Sequence, residues 1–196
     1  MLRIHHRINN IESLKSVSKE HGVEIDIHAY KDILTLHHDP FIEGVNFEDW
    51  LKFYNHKFLI LNIKEEGIEE RVLEAVNKHN IKDFFMLDLS FPALMKLVKK
   101  GEERIATRVS DYESVQSALL LKNKVKWIWI DLFNKKFPIL ESDCKLLQDS
   151  GFKLCLVSPE LHPDNNENIS AQVKNFINEN NIIIDAVCTK NVKIWQ

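Results

Sequence analysis

Residues 23–41 read Val-Glu-Ile-Asp-Ile-His-Ala-Tyr-Lys-Asp-Ile-Leu-Thr-Leu-His-His-Asp-Pro-Phe, and the first six alternate strictly. Val23, Ile25 and Ile27 fall on one side of a strand, and Glu24, Asp26 and His28 on the other. Such a strand is expected to bury its apolar side and wet the other. Two carboxyl groups two residues apart on one face stand side by side. They raise each other's pKa unless a cation lies between them. A turn at Lys31-Asp32 leads into a second extended run, 33–36, which ends in His37-His38-Asp39-Pro40. The stretch therefore delivers a carboxyl pair and a histidine to one place.

On both sides of it, extended and helical runs alternate. Strands are expected at 2–6, 23–27, 58–63, 84–88, 104–108, 126–131, 153–157 and 182–188. Helices are expected at 11–19, 47–53, 68–78, 92–99, 111–121, 142–148 and 171–178. Ser90 would cap the fourth of these, and Ser110 with Glu113 has the spacing of a capping box for the fifth. Eight strands separated by helices follow the logic of a parallel α/β protein, and eight is the number that closes a barrel. The expected architecture is a single-domain, compact (β/α)8 TIM barrel over residues 1–196, with short loops and one helix reduced. A nucleotide-cradling open sheet is poorly supported, because the chain has only five glycines and neither a Gly-x-Gly-x-x-Gly nor a P-loop.

Bulk properties exclude several classes. A net charge of −3 leaves no basic excess for nucleic acid. The N-terminus lacks the apolar run of a signal peptide and no stretch reaches membrane-spanning length, so a cytoplasmic protein is expected. Cys144, Cys155 and Cys188 are odd in number and lack metal-type spacing; the last two lie in apolar runs and read as buried thiols.

In a parallel barrel the chemistry gathers at the carboxyl ends of the strands. Those ends carry His6-Arg7, Glu24-Asp26-His28, Asn62-Lys64-Glu66, Asp88-Ser90, Arg108, Asp131 and Ser158-Pro159-Glu160. One polar mouth above an apolar floor is expected. His5 and His37 point away from it in an extended chain and read as packing or surface residues. Trp127 reads as core and Trp129 as pocket lining. Glu24 and Asp26 also fit ordinary strand polars or salt-bridge partners for Arg7, Lys64 and Arg108. Arg108 equally fits a simple partner for Asp131.

His6-Arg7, Glu24-x-Asp26, Lys31-Asp32 and His38-Asp39-Pro40, in that order, resemble the glycerophosphodiester phosphodiesterases, part of the phosphatidylinositol-phospholipase-C-like superfamily. The match departs at Ile8, where that family has Gly, and at Asn9-Asn10-Ile11-Glu12, where it has Pro-Glu-Asn-Thr. The resemblance implies metal-assisted cleavage of a small-molecule phosphodiester. His6 and His38 would share the general acid and base roles. Glu24 and Asp26 would hold one divalent cation, Mg²⁺ or Ca²⁺ given oxygen ligands. Arg7, Lys64 and Arg108 would meet the phosphoryl oxygens. The related enzymes carry a third metal carboxylate where this chain has Asn62, whose oxygen could still coordinate a hard cation, without charge and so more weakly; Glu66 or Asp88 could substitute for it, or the metal could be weak or absent, with Lys64 filling part of its role. That departure keeps two other functions open: a non-hydrolytic barrel binding a phosphorylated or polyol ligand, and a sugar-phosphate lyase or isomerase using Lys64.

Overall fold

The computed structural model describes residues 1–162 and 167–196. The chain divides into two compact units, 5–100 and 1–4 with 101–196, the division falling within β1 (Leu2–His5).

In the unit 5–100, the strand at the centre is β2 (Gly22–Tyr30). It pairs antiparallel with β3 (Ile33–Leu36) through the two-residue turn Lys31-Asp32, where Lys31 takes the positive φ that tight hairpins require. β3 in turn pairs antiparallel with β4 (Val45–Asn46). Gly44 backs directly onto β3 here: a Cβ would collide with the Leu36 carbonyl. On its other edge β2 pairs parallel with β5 (Phe58–Ile63), and β5 with β6 (Phe84–Leu87). The register sets Asn62 beside Asp26, which decides the chemistry of the site. Helices α1 (Ile11–Ser16), α2 (Phe47–Leu51), α3 (Glu69–Lys78) and α4 (Phe91–Lys99) connect these strands. Ser90 caps α4 as expected, accepting from the Ala93 N–H, with Pro92 in the first turn.

Val23, Ile25 and Ile27 are fully buried, but so are Glu24 and Asp26 on the opposite face. The expectation of one wetted face fails. Strands in parallel sheets are covered on both sides, and here the covered polar face is supplied with N–H donors.

The other unit holds four parallel strands in the order β10 (Ala186–Thr189), β9 (Lys153–Val157), β8 (Trp127–Ile130) and β7 (Ala106–Val109). Helices α5 (Val115–Leu119), α6 (Glu141–Asp149) and α7 (Glu167–Glu179) accompany them. Three expectations need correction. The final strand begins at Ala186 because Ile182 spends its N–H on the Ile177 carbonyl, closing the end of α7. Trp129 is buried, as Trp127 is, with little of it facing solvent. Ser110 and Glu113 do bond each other, but α5 starts only at Val115, because Ser114 accepts from the Ser117 N–H and is the true cap. Ser114→Ala should therefore lower stability by about 1 kcal/mol in urea unfolding. All three cysteines are buried thiols, as expected for Cys155 and Cys188.

Candidate active site

Glu24 and Asp26 project from the middle of β2, and each is met by donors from three directions. β1 ends just before His6-Arg7, and Arg7 takes a positive φ that non-glycine residues rarely adopt. This bend turns the Arg7 backbone N–H onto Glu24 Oε2 at 2.7 Å. It also brings the Arg7 Nε to 3.8 Å from Asp26 Oδ2. His6 Nε2 lies 3.8 Å from Glu24 Oε2. Two residues on, Ile8 donates its N–H to the Glu24 carbonyl and accepts the indole N–H of Trp50, which pins the segment in place. Asn9 pairs with Asp26 twice: its Nδ2 donates to Oδ2, and its Oδ1 accepts the Asp26 backbone N–H, both at 2.9 Å.

From β5, the Asn62 Nδ2 donates to Glu24 Oε1 at 2.9 Å and to Asp26 Oδ1 at 3.4 Å. Lys64 follows, its Nζ 3.3 Å from Asp26 Oδ1 and 3.7 Å from Asp88 Oδ2. Asp88, like Arg7, sits at positive φ. Left-handed backbone at two residues around one carboxyl pair is strain of the kind found where a site is over-determined by its surroundings. Burial, then the charge of Asp26, pushes the Glu24 carboxyl up to about 7 despite hydrogen bonds from Arg7 and Asn62. A cavity of about 260 Å³ lined by Lys64, Glu65, Glu69, Asp88 and Ser90 opens beside these groups. A larger groove of about 560 Å³ lies along Asp32, Asn46, Lys52, Arg71 and Lys78. There the cations are committed, Lys52 to Asp49, Lys78 to Glu48 and Arg71 to the Asp32 carbonyl.

His38 stands on the loop after β3, half exposed, with Nδ1 2.8 Å from Asp39 Oδ1. That hydrogen bond, chiefly, and the charge of Arg7 among lesser causes, hold the Asp39 carboxyl below its ordinary range. The His38–Asp39 pair is thus within electrostatic reach of Arg7. His37 closes the same turn locally through the Asp39 backbone, and His5 stacks on His21. Both match their expected packing roles.

The whole-chain architecture has solved counterparts. A glycerophosphoryl diester phosphodiesterase from Parabacteroides distasonis superposes with a TM-score of 0.68 at 12% identity, covering 98% of this chain and 85% of that one. A glycerophosphodiester phosphodiesterase from Agrobacterium tumefaciens superposes at 0.66 with 10% identity, covering 99% and 97%. This is the glycerophosphodiester phosphodiesterase fold. No family model matches the sequence, and none of the curated proteins matches it.

Within that fold, the structure brings His6, Arg7, Glu24, Asp26, Asn62, Lys64 and Asp88 together. β5 stops at Ile63 and the chain leaves through the Gly67 turn at φ 100; Glu66 is exposed and lines the small cavity with Lys64 and Asp88. Arg108 lies in the other unit, its Nε 3.7 Å from Asp131 Oδ2. Asp131 also holds His162, Nε2 to Oδ1 at 2.6 Å, with Phe133 edge-on to the imidazole. Asn9 and His162 were missed in the sequence. Asn9 stood out only as a departure from a motif, and His162 lies four residues past Ser158, where the strand-end rule could have reached it. Glu160 is a structural clamp, accepting hydroxyls from Ser158, Ser170 and Thr189.

The donors around Glu24 and Asp26 do not fit a divalent cation as arranged. Mg²⁺ and Ca²⁺ need oxygen lone pairs converging on one point. Here Asn62 presents an N–H there, and the described residues include no group of three or more His, Cys, Asp or Glu side chains able to share a metal ion.

Proposed function

We propose that this site binds and cleaves a small-molecule phosphodiester by general acid–base chemistry, on a TIM-barrel-like α/β frame. Arg7 and Lys64 hold the non-bridging oxygens and offset the charge that gathers on them during in-line displacement. His6 and His38 divide the proton transfers, one taking the proton of the attacking hydroxyl or water, the other supplying the leaving oxygen. Glu24 and Asp26 orient Arg7, Lys64 and His6. The observation that carries this reading is the convergence of one imidazole and two cations on a single buried carboxyl pair beside an open cavity. No step is routed through a metal ion, because the donor set does not fit one.

A second reading, stoichiometric binding of a phosphorylated or polyol ligand without turnover, is favoured by Asn62, which removes one carboxyl group from the site. Schiff-base chemistry at Lys64 is disfavoured, since salt bridges to Asp26 and Asp88 tie up the amine it would need. Assaying a chromogenic phosphodiester and glycerophosphodiesters with the parent, His6→Ala and His38→Ala separates these readings. Acid–base cleavage requires each variant to lose about 10²-fold in kcat. Retained activity in both variants would refute the histidine roles. A parent that binds one equivalent of phosphodiester and releases no alcohol would establish the binding reading instead.

A further inference from the structure

We infer that the protein fills the seat of a divalent cation with its own nitrogen atoms, and that the side chain at residue 62 tips the balance between that state and a metal site. The inference concerns ligation at the site of the proposed function and is decided by binding, not by turnover.

The amide nitrogen of Asn62 lies 2.9 Å from Glu24 Oε1 and 3.4 Å from Asp26 Oδ1, bridging one oxygen of each carboxyl group. A cation shared by the same two oxygens would sit in that bridge, at metal–oxygen distances of about 2.0–2.6 Å. The two remaining oxygens are also taken. Glu24 Oε2 accepts the Arg7 backbone N–H, and Asp26 Oδ2 accepts the Asn9 side chain. Lys64 and Arg7 stand as two positive charges beside the pair, so an added dication would meet repulsion as well as occupied lone pairs.

Turning the Asn62 amide over would set its Oδ1 beside Glu24 Oε1 and Asp26 Oδ1. That arrangement offers a cation one uncharged oxygen where a carboxyl side chain would offer a charged one, and it strands the amide N–H groups in the buried pocket that Oδ1 now occupies. In the observed orientation Oδ1 points away, buried and without a hydrogen-bond partner among the described residues, and Asn62 as a whole is 7% exposed. An orphaned acceptor carries a desolvation cost, and the orientation that accepts this cost is the one that keeps the N–H groups on the carboxyl pair. Register fixes the position, because Asn62 is the direct neighbour of Asp26 across the parallel β2–β5 pairing. A carboxyl side chain at residue 62 would supply a third oxygen ligand and remove the blocking N–H together.

The test is a titration with Mn²⁺ alone, read by electron paramagnetic resonance of free Mn²⁺ and by thermal unfolding. The parent, Asp26→Asn, Asn62→Glu, Asn62→Asp and Asn62→Glu with Asp26→Asn are compared. Expected is no saturable binding by the parent below millimolar Mn²⁺. At least one of Asn62→Glu and Asn62→Asp binds one equivalent at least 100-fold more tightly, with a rise in Tm on adding Mn²⁺. The double variant loses that gain. A parent that binds one equivalent in the micromolar range, and loses it in Asp26→Asn, overturns the inference; so does failure of folded Asn62→Glu and Asn62→Asp to gain binding. Should neither variant fold, the parent titration with its Asp26→Asn control decides alone. None of these outcomes depends on phosphodiester turnover, so the proposed cleavage can fail while this inference stands.

Discussion

Glu160→Ala should lower the unfolding free energy by about 4 kcal/mol, enough to be read directly from urea denaturation of the full chain. One carboxyl group here accepts hydroxyls from Ser158, Ser170 and Thr189, and the Lys190 backbone N–H as well. It joins the end of β9, the start of α7 and the end of β10. All three hydroxyl residues are fully buried. Each already accepts an N–H of its own: Ser158 from the Trp195 indole, Ser170 from Glu160 and Thr189 from Asn191. What alanine removes is therefore the acceptor on which three buried O–H groups converge. An orphaned buried donor costs roughly 1–3 kcal/mol, and hydroxyl rotation recovers part of it. Glu160→Gln keeps one acceptor oxygen and should lose less than half as much. Equal destabilisation by both variants would show that packing, not the hydroxyl cluster, sets the loss. The pH response has a definite sign. Burial alone would raise the Glu160 carboxyl, but the hydroxyls of Ser158, Ser170 and Thr189 outweigh it and leave it lowered. A lowered carboxyl contributes stability that is complete above the ordinary range and is lost as pH falls through the folded value.

Much of the fold was legible because its signals were periodic. The alternation from Val23 to His28, the Lys31-Asp32 turn and the Ser90-x-Pro92 helix start each have one dominant local reading, and each is observed. The misreadings fall where two local solutions compete. Ser110 and Ser114 both present a hydroxyl ahead of the same apolar run, and only the chain path after β7 selects the second. Residues 182–188 are apolar enough for a strand throughout, but α7 needs the Ile182 N–H at its end. Convergence of His6, Arg7, Glu24, Asp26 and Lys64 was legible from the strand-end rule. The orientation of the Asn62 amide was not, since it follows from cross-strand register, which a single sequence does not encode locally. Burial of the polar face of β2 was equally hidden, because Asn9 and the Arg7 backbone N–H that make it tolerable come from a segment with no periodic signal.

Between about pH 4.5 and 7 the protein should lose stability as pH rises, and Glu24 is the reason. Burial, followed by the charge of Asp26, lifts its carboxyl from 4.5 to about 7. The folded chain then holds a proton that the unfolded chain releases earlier. Stability from this group is fully present below the unfolded value and falls away as pH climbs through the folded one. The lift corresponds to a loss on the order of 3 kcal/mol across the window. His56 works against this slope: burial, its leading cause, lowers its imidazole, so its contribution grows as pH rises. The informative quantity is thus the difference between the parent and Glu24→Gln, measured by urea unfolding at intervals from pH 4.5 to 8. The substituted side chain retains an acceptor oxygen for the Arg7 N–H. Its new amide donor meets Asn62, whose buried Oδ1 lacks a hydrogen-bond partner among the described residues and can turn to receive it. The variant should therefore fold, match the protonated parent near pH 4.5 and stay flatter than the parent up to pH 7. Identical slopes in the two proteins would mean that Glu24 is already ionised throughout, its charge offset by Lys64 and Arg7 more fully than its burial implies.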